Sequence, residues 1–261
     1  MSLFVGRRVI LRADPQKSTG KIVRLLKLLL GILLLPACAA LTLTAWRLGQ
    51  QVSLAPHPLS DPVLWAFAGG YVLWLMVFVL LPKPMRTYVL GHELTHAIWA
   101  LMMGARVGGL KVKKTGGQVR TSKVNWFIAL APYFFPFYAM LFIGLFFIAY
   151  AIWNLRTYLW VLYFLVGLGW SFHVTFTIMM LLTVKQPDIE SQGVVFSVVV
   201  IYCMNLLTMA LTATALSRSV TFAALARSLG GDLVIAYGWT LDKLVVLWHG
   251  TCTFVNHAQQ H

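Results

Sequence analysis

Five stretches of this chain, residues 28–46, 63–81, 124–153, 158–183 and 194–216, are apolar over lengths that match or exceed the roughly 17–25 residues an α-helix needs to cross a bilayer. Lipid offers no partner to a backbone N–H or C=O, so each such stretch must satisfy its own hydrogen bonds, and the helix is the single-segment solution. A polytopic, all-α membrane protein of about five to six transmembrane helices follows. With 59% hydrophobic and 11% charged residues, an ordinary soluble domain is excluded.

Charge placement then orients the spans. Residues 1–27 carry Arg7, Arg8, Arg12, Lys17, Lys21, Arg24 and Lys27 against the single acid Asp14, which places this basic segment in the cytoplasm by the positive-inside rule. A solvated tail on lipid headgroups is compatible with that placement. The formal net charge of +14 is spread over segment ends, so it reads as topology signals and contacts to anionic lipid, and no nucleic acid is expected as a partner. Cys38, Cys203 and Cys252 are far apart and form no Cys-x-x-Cys pair, which implies neither a disulfide framework nor a cysteine metal site. The first apolar run lacks a convincing small-residue cleavage site and reads as a retained span.

Two transmembrane helices are expected within 28–84, joined by a far-side loop containing Pro56 and Pro58 and stopped by Pro82-Lys83-Pro84. Residues 87–103 follow, ending at Gly104 as a helix C-terminal glycine. This segment is short for a span and basic on both flanks, with Lys83 and Arg86 before it and Arg106, Lys111, Lys113, Lys114, Arg120 and Lys123 after it. The simplest reading is a re-entrant or tilted helix, the alternative being a full crossing.

From Val107 to Arg120, Leu110 and Val112 alternate with Lys111 and Lys113 around Thr115-Gly116-Gly117, the pattern of a small membrane-associated β-hairpin, or else a flexible basic loop. Pro132 and Pro136 should kink or split the 124–153 helix. Lys185 to Gly193 forms a polar, acidic loop, and the segment after Arg218 is apolar but interrupted by Gly230, Gly231, Asp232, Gly238, Asp242 and Gly250. That C-terminal segment, 218–261, reads as a sixth span plus a surface helix, or as two interfacial amphipathic pieces.

Chemistry concentrates in Gly91-His92-Glu93-Leu94-Thr95-His96, a His-Glu-x-x-His motif in an apolar helix. His92 and His96 stand one turn apart on one face, so both imidazoles can reach one metal ion with Glu93 beside them. Zinc takes such nitrogen ligands, and in hydrolytic sites keeps a position for water, leaving Glu93 to take the proton. The competing reading is a buried, hydrogen-bonded cluster. Ionisable residues at membrane depth nonetheless mark function by default.

The motif in a hydrophobic helix, the Gly-rich β-like stretch after it, and the Asp-containing polar loop before a later span resemble the site-2 protease family of intramembrane zinc metalloproteases. The resemblance covers about residues 85–215. It implies a catalytic core at 85–217 in which His92, His96 and a distant aspartate bind Zn2+, Glu93 is the catalytic base, and the β-like stretch, with Leu110, Val112, Gly116 and Gly117, lines an extended membrane-protein substrate. Where the family has an Asp-Gly pair after an Asn- and Pro-containing run, this chain has Pro187-Asp188, then Ile189 and Gly193.

The third ligand has three candidates. Counting spans brings Asp188 to the same side as the motif; Glu190 shares its loop; His173 lies mid-span, where a satisfied core histidine is the expectation. His57, His249, His257 and His261 lie in loops or near the terminus and are expected to bind no metal. The functional expectation is hydrolysis of a peptide bond in or near a transmembrane segment, at the cytoplasmic side of the cell (inner) membrane, with the oligomeric state open. Two other classes remain: a non-proteolytic metal-binding scaffold or transporter, which would show more polar residues along several spans, and a basic lipid- or nucleic-acid-binding module, which leaves the motif unexplained.

Overall fold

The structure, a computed structural model, describes residues 20–53, 62–114, 116–217 and 219–258. The basic residues before position 20, His57 and His261 lie outside that set, as do the side chains of Cys252 and His257.

Four helical runs are long and apolar enough to cross a membrane: Lys21–Gln51, Pro62–Leu80, Arg156–Thr183 and Val194–Ala215. A bent pair, Trp126–Tyr133 with Phe137–Ile152, makes a fifth if counted as one span. The first run combines α1 (Lys21–Leu33) and α2 (Leu35–Ser53) and starts at Lys21, earlier than the basic boundary at residue 27 suggested. Lysine stems lie along apolar surface while their ammonium groups reach polar partners, and Lys27 Nζ donates to Gln192 Oε1 at 2.6 Å. One turn further on, a Cβ on Gly31 would lie 3.1 Å from the Phe196 Cα. Both contacts share one sequence offset, 165 residues, so α1–α2 runs parallel to α9 (Val194–Leu216).

A second helix pair depends on small residues. α3 (Pro62–Leu80) packs along α7 (Leu159–Thr183), and a Cβ on Gly70 or Gly167 would collide with the backbone carbonyls of Phe164 and Phe67 respectively. Between helices in lipid no hydrophobic drive exists, so close van der Waals approach through glycine has to supply the attraction. Trp74, Phe172 and Phe176 continue that seam as an aromatic cluster with Tyr88 and Val89 of α4 (Met85–Met102).

α4 carries the His-Glu-x-x-His motif and is not among the candidate spans. It starts after Pro84 and ends before Gly104, whose φ of +71° is the left-handed geometry glycine adopts without strain. The hairpin follows as expected: β1 (Val107–Lys113) pairs antiparallel with β2 (Gly116–Thr121), with an irregularity between Val107 and Leu110. Gly108 and Gly109 stand opposite Arg120 alone, one residue more than the partner strand has, and with no side chains to stack they suit a bulge.

Pro132 and Pro136 split the next run as expected, into α5 (Trp126–Leu130), a 3-10 turn at Ala131–Tyr133, and α6 (Phe137–Ile152), the two halves bent by 85°. Asn125 caps α5, its Oδ1 accepting from Ile128 N at 2.8 Å.

Two expectations are corrected. The polar loop at 185–193 contains a short helix, α8 (Pro187–Gln192). Pro187 suits the first turn, which needs no N–H, and Gly193 at φ +93° ends it. The interrupted C-terminal segment is one helix, α10 (Phe222–Ala258), and supplies no sixth span among the described residues. Each glycine costs a helix only about 1 kcal/mol. Asp232 is not a break either, because it is buried against α2, accepting from Thr44 Oγ1 at 2.7 Å and pairing with Arg47.

Candidate metal centre

α4 buries the face that carries the motif: His92, Glu93, Thr95 and His96 are all buried, Glu93 and His96 completely. The two imidazoles stand one turn apart, ring centroids 4.9 Å from each other and nearly perpendicular. Thr95 turns its hydroxyl back to the Gly91 carbonyl at 2.7 Å and is satisfied within its own helix. Gly91 has its own reason, since a Cβ there would lie 2.8 Å from the Tyr138 ring.

Asp188 comes from the first turn of α8, nearly a hundred positions away in sequence, and is 3% exposed. Its Oδ2 lies 3.7 Å from His92 Nε2 and 3.6 Å from His96 Nε2. These separations are too long for hydrogen bonds. They approach the edge of a zinc tetrahedron, about 3.4 Å for bonds near 2.0–2.1 Å. One atom from each of the three side chains lies within 4.8 Å of the others.

The opposite sides of the rings are committed elsewhere. His96 Nδ1 donates to the Ile128 carbonyl at 2.8 Å, which leaves the neutral ring's lone pair on Nε2. His92 Nδ1 lies 3.3 Å from the Tyr88 hydroxyl. This is the outer support that fixes tautomer and ring orientation in metal sites. Facing inward, His92 Nε2, His96 Nε2 and both Glu93 carboxylate oxygens are buried without any hydrogen-bond partner. Buried polar atoms left unpaired are costly, and four in one place are reconciled by a cation and its water. Two nitrogens and a carboxylate oxygen therefore fit a metal ion.

Asp188 is itself held. The Tyr133 hydroxyl lies 3.2 Å from its Oδ2 and 3.0 Å from Gln186 Oε1. With both imidazole nitrogens turned toward it, the Asp188 carboxylate completes a set of three ligand atoms for one cation.

The other candidate ligands fall away from this point. Glu190 is exposed on α8. His173 is satisfied instead, its Nε2 3.1 Å from Asn205 Oδ1, as expected for a core histidine. Of the hairpin residues, Gly117 lies against the motif: a Cβ there would sit 2.7 Å from Glu93 Oε1. Val112 packs at the edge of the Tyr88 and Val89 cluster, Gly116 opens β2 with a φ of +141°, and Leu110 points outward, 40% exposed.

Tyr133, Tyr88 and Gln186 escaped sequence reading. An aromatic inside an apolar run carries no sign of its partner, although Gln186, polar and immediately before Pro187, could have drawn notice. The chain matches no protein-family model, no curated protein and no solved structure.

Proposed function

We propose that this chain is an intramembrane zinc metalloprotease, hydrolysing a peptide bond in or beside a transmembrane segment of a membrane-protein substrate. The observation that carries the reading is the unpaired Glu93 carboxylate buried beside the His92, His96 and Asp188 trio. A site built only to hold an ion has no use for a fourth side chain, an unbonded carboxylate, at that cost.

His92, His96 and Asp188 would hold zinc, which when bound supplies Lewis-acid polarisation and acidifies water. Glu93 Oε1 or Oε2 takes the proton of the attacking water and returns it to the leaving amine. Tyr133 keeps Asp188 directed at the histidines. The hairpin gives the substrate an extended path: Gly117 brings the β2 backbone directly over Glu93. A substrate strand added beside the hairpin finds backbone partners that lipid does not offer.

The parallel register of α1–α2 with α9 places the Lys21 end of the chain and the Asp188 loop on one side of the bundle. Combined with the basic flanks of α4, this supports a cytoplasm-facing site in the cell membrane and a re-entrant α4. Pro84→Cys and Thr115→Cys should both be labelled from the cytoplasm; labelling from opposite sides removes the re-entrant arrangement.

Glu93→Gln tests the activity. Purified variant and parent should hold equal zinc, while only the parent cleaves a reconstituted membrane-protein substrate. Cleavage retained by Glu93→Gln excludes the mechanism.

A further inference from the structure

Away from the metal centre, Cys38 of α2 and Cys203 of α9 bring their sulfurs to 3.1 Å, and both thiols are free. Their offset is again 165 residues, the one shared by Lys27 with Gln192 and by Gly31 with Phe196. Gly31 and Cys38 on α1–α2, and Phe196 and Cys203 on α9, are each seven residues apart, two turns along one helical face on each side, with Lys27 and Gln192 continuing the same offset just before α9 begins. The two cysteines therefore meet through the backbone register of two parallel helices and not through a single side-chain rotamer. Thr42 and Tyr202, whose hydroxyls lie 2.7 Å apart, flank the pair on the same seam.

We infer that Cys38 and Cys203 form a reversible dithiol–disulfide site that clamps α2 to α9. One thiol adds to an apolar two-electron oxidant of the diazene or quinone class, its proton passing to the carrier as the sulfur–carrier bond forms. The second displaces the reduced carrier, and the two electrons and two protons leave on the hydrazine or hydroquinone as the S–S bond forms. The site lies well inside the Lys21–Gln51 and Val194–Ala215 runs, so an apolar oxidant reaches it and a charged one does not. Closing it ties the N-terminal helices to the helix whose Asn205 hydrogen-bonds both the Tyr133 carbonyl and His173. The cross-link also closes a long loop, which restricts the unfolded chain.

The test uses the full chain carrying Cys252→Ser, in phosphatidylcholine vesicles, treated with the diazene diamide and then tagged with a maleimide. Loss of both tags, a mass lower by two hydrogens, a monomer on a non-reducing gel and recovery with dithiothreitol are expected, with a higher thermal midpoint for the oxidised form. Moving one thiol off the seam, by Cys38→Ser with Ala39→Cys, should abolish the bond while leaving both tags reactive. The inference is overturned if both native thiols remain fully tagged, if the product is an intermolecular dimer, or if the shifted pair closes as readily as the native one.

Discussion

The Tyr133 hydroxyl reaches Asp188 Oδ2 at 3.2 Å while its ring stands edge-on to His92, centroids 5.2 Å apart. One residue in the 3-10 turn between α5 and α6 thus touches two of the three candidate ligands, which come from helices far apart in sequence. The bend imposed by Pro132 and Pro136 is what carries it there.

Removing that hydroxyl should matter more to metal than to fold. Tyr133→Phe keeps the ring and is expected to weaken zinc binding by about 10–100-fold, the usual effect of losing an outer-shell partner. Competition with a zinc chelator reads the change, and an unaltered affinity would show that the hydroxyl does not position Asp188.

Zinc content tests the ligand set. The parent should bind about one zinc per chain, and His92→Ala, His96→Ala or Asp188→Ala should each lower affinity by orders of magnitude. Glu190→Ala and His173→Ala should leave it near parental, since Glu190 is exposed and His173 is paired with Asn205. Parental zinc in Asp188→Ala would overturn the assignment.

Removing the metal should also cost stability. A ligand at about 1,000 times its Kd adds roughly 4 kcal/mol to the folded state, so chelation should lower the thermal midpoint of the parent. The same treatment should barely move Asp188→Ala.

Gly117 offers a test of the hairpin. In Gly117→Val the new Cβ would press on Glu93 Cγ and Val89, displacing either β2 or the carboxylate. Zinc content is expected to persist while proteolysis falls at least tenfold; equal activity would remove β2 from the catalytic neighbourhood.

A structural prediction concerns α3 and α7. Gly70→Leu forces side-chain atoms into the Phe164 carbonyl, and overpacking of a tight contact costs typically 1–3 kcal/mol or more. A lowered thermal midpoint is expected, whereas Gly144→Leu, where the added Cβ meets nothing within 4 Å, should be neutral.

Much of this was legible in the chain because its signals are local. Apolar length gave the spans, Pro132 and Pro136 gave the split, and the alternation running into Gly116-Gly117 gave the hairpin. His92, Glu93 and His96 announced themselves because i and i+4 positions share a face. Asp188 needed more: counting spans put it on the side of the motif, but its approach to the histidines goes with Tyr133 and Gln186, whose roles are set by tertiary packing. The register of α2 on α9 was equally silent, so two distant cysteines gave no hint of meeting. α10 was misread because Gly230, Gly231 and Asp232 look like a break, and only the opposite helix reveals that Asp232 has partners.

The Arg47–Asp232 pair bears on the order in which the protein is made. Arg47 emerges from the ribosome 185 residues before Asp232, so α2 is made with its cation unmatched. Asp232, wholly enclosed in the finished molecule, can settle only once α2 is already waiting for it. The helix that completes the packing of α2 is thus made long after α2 itself, which waits for it half-assembled.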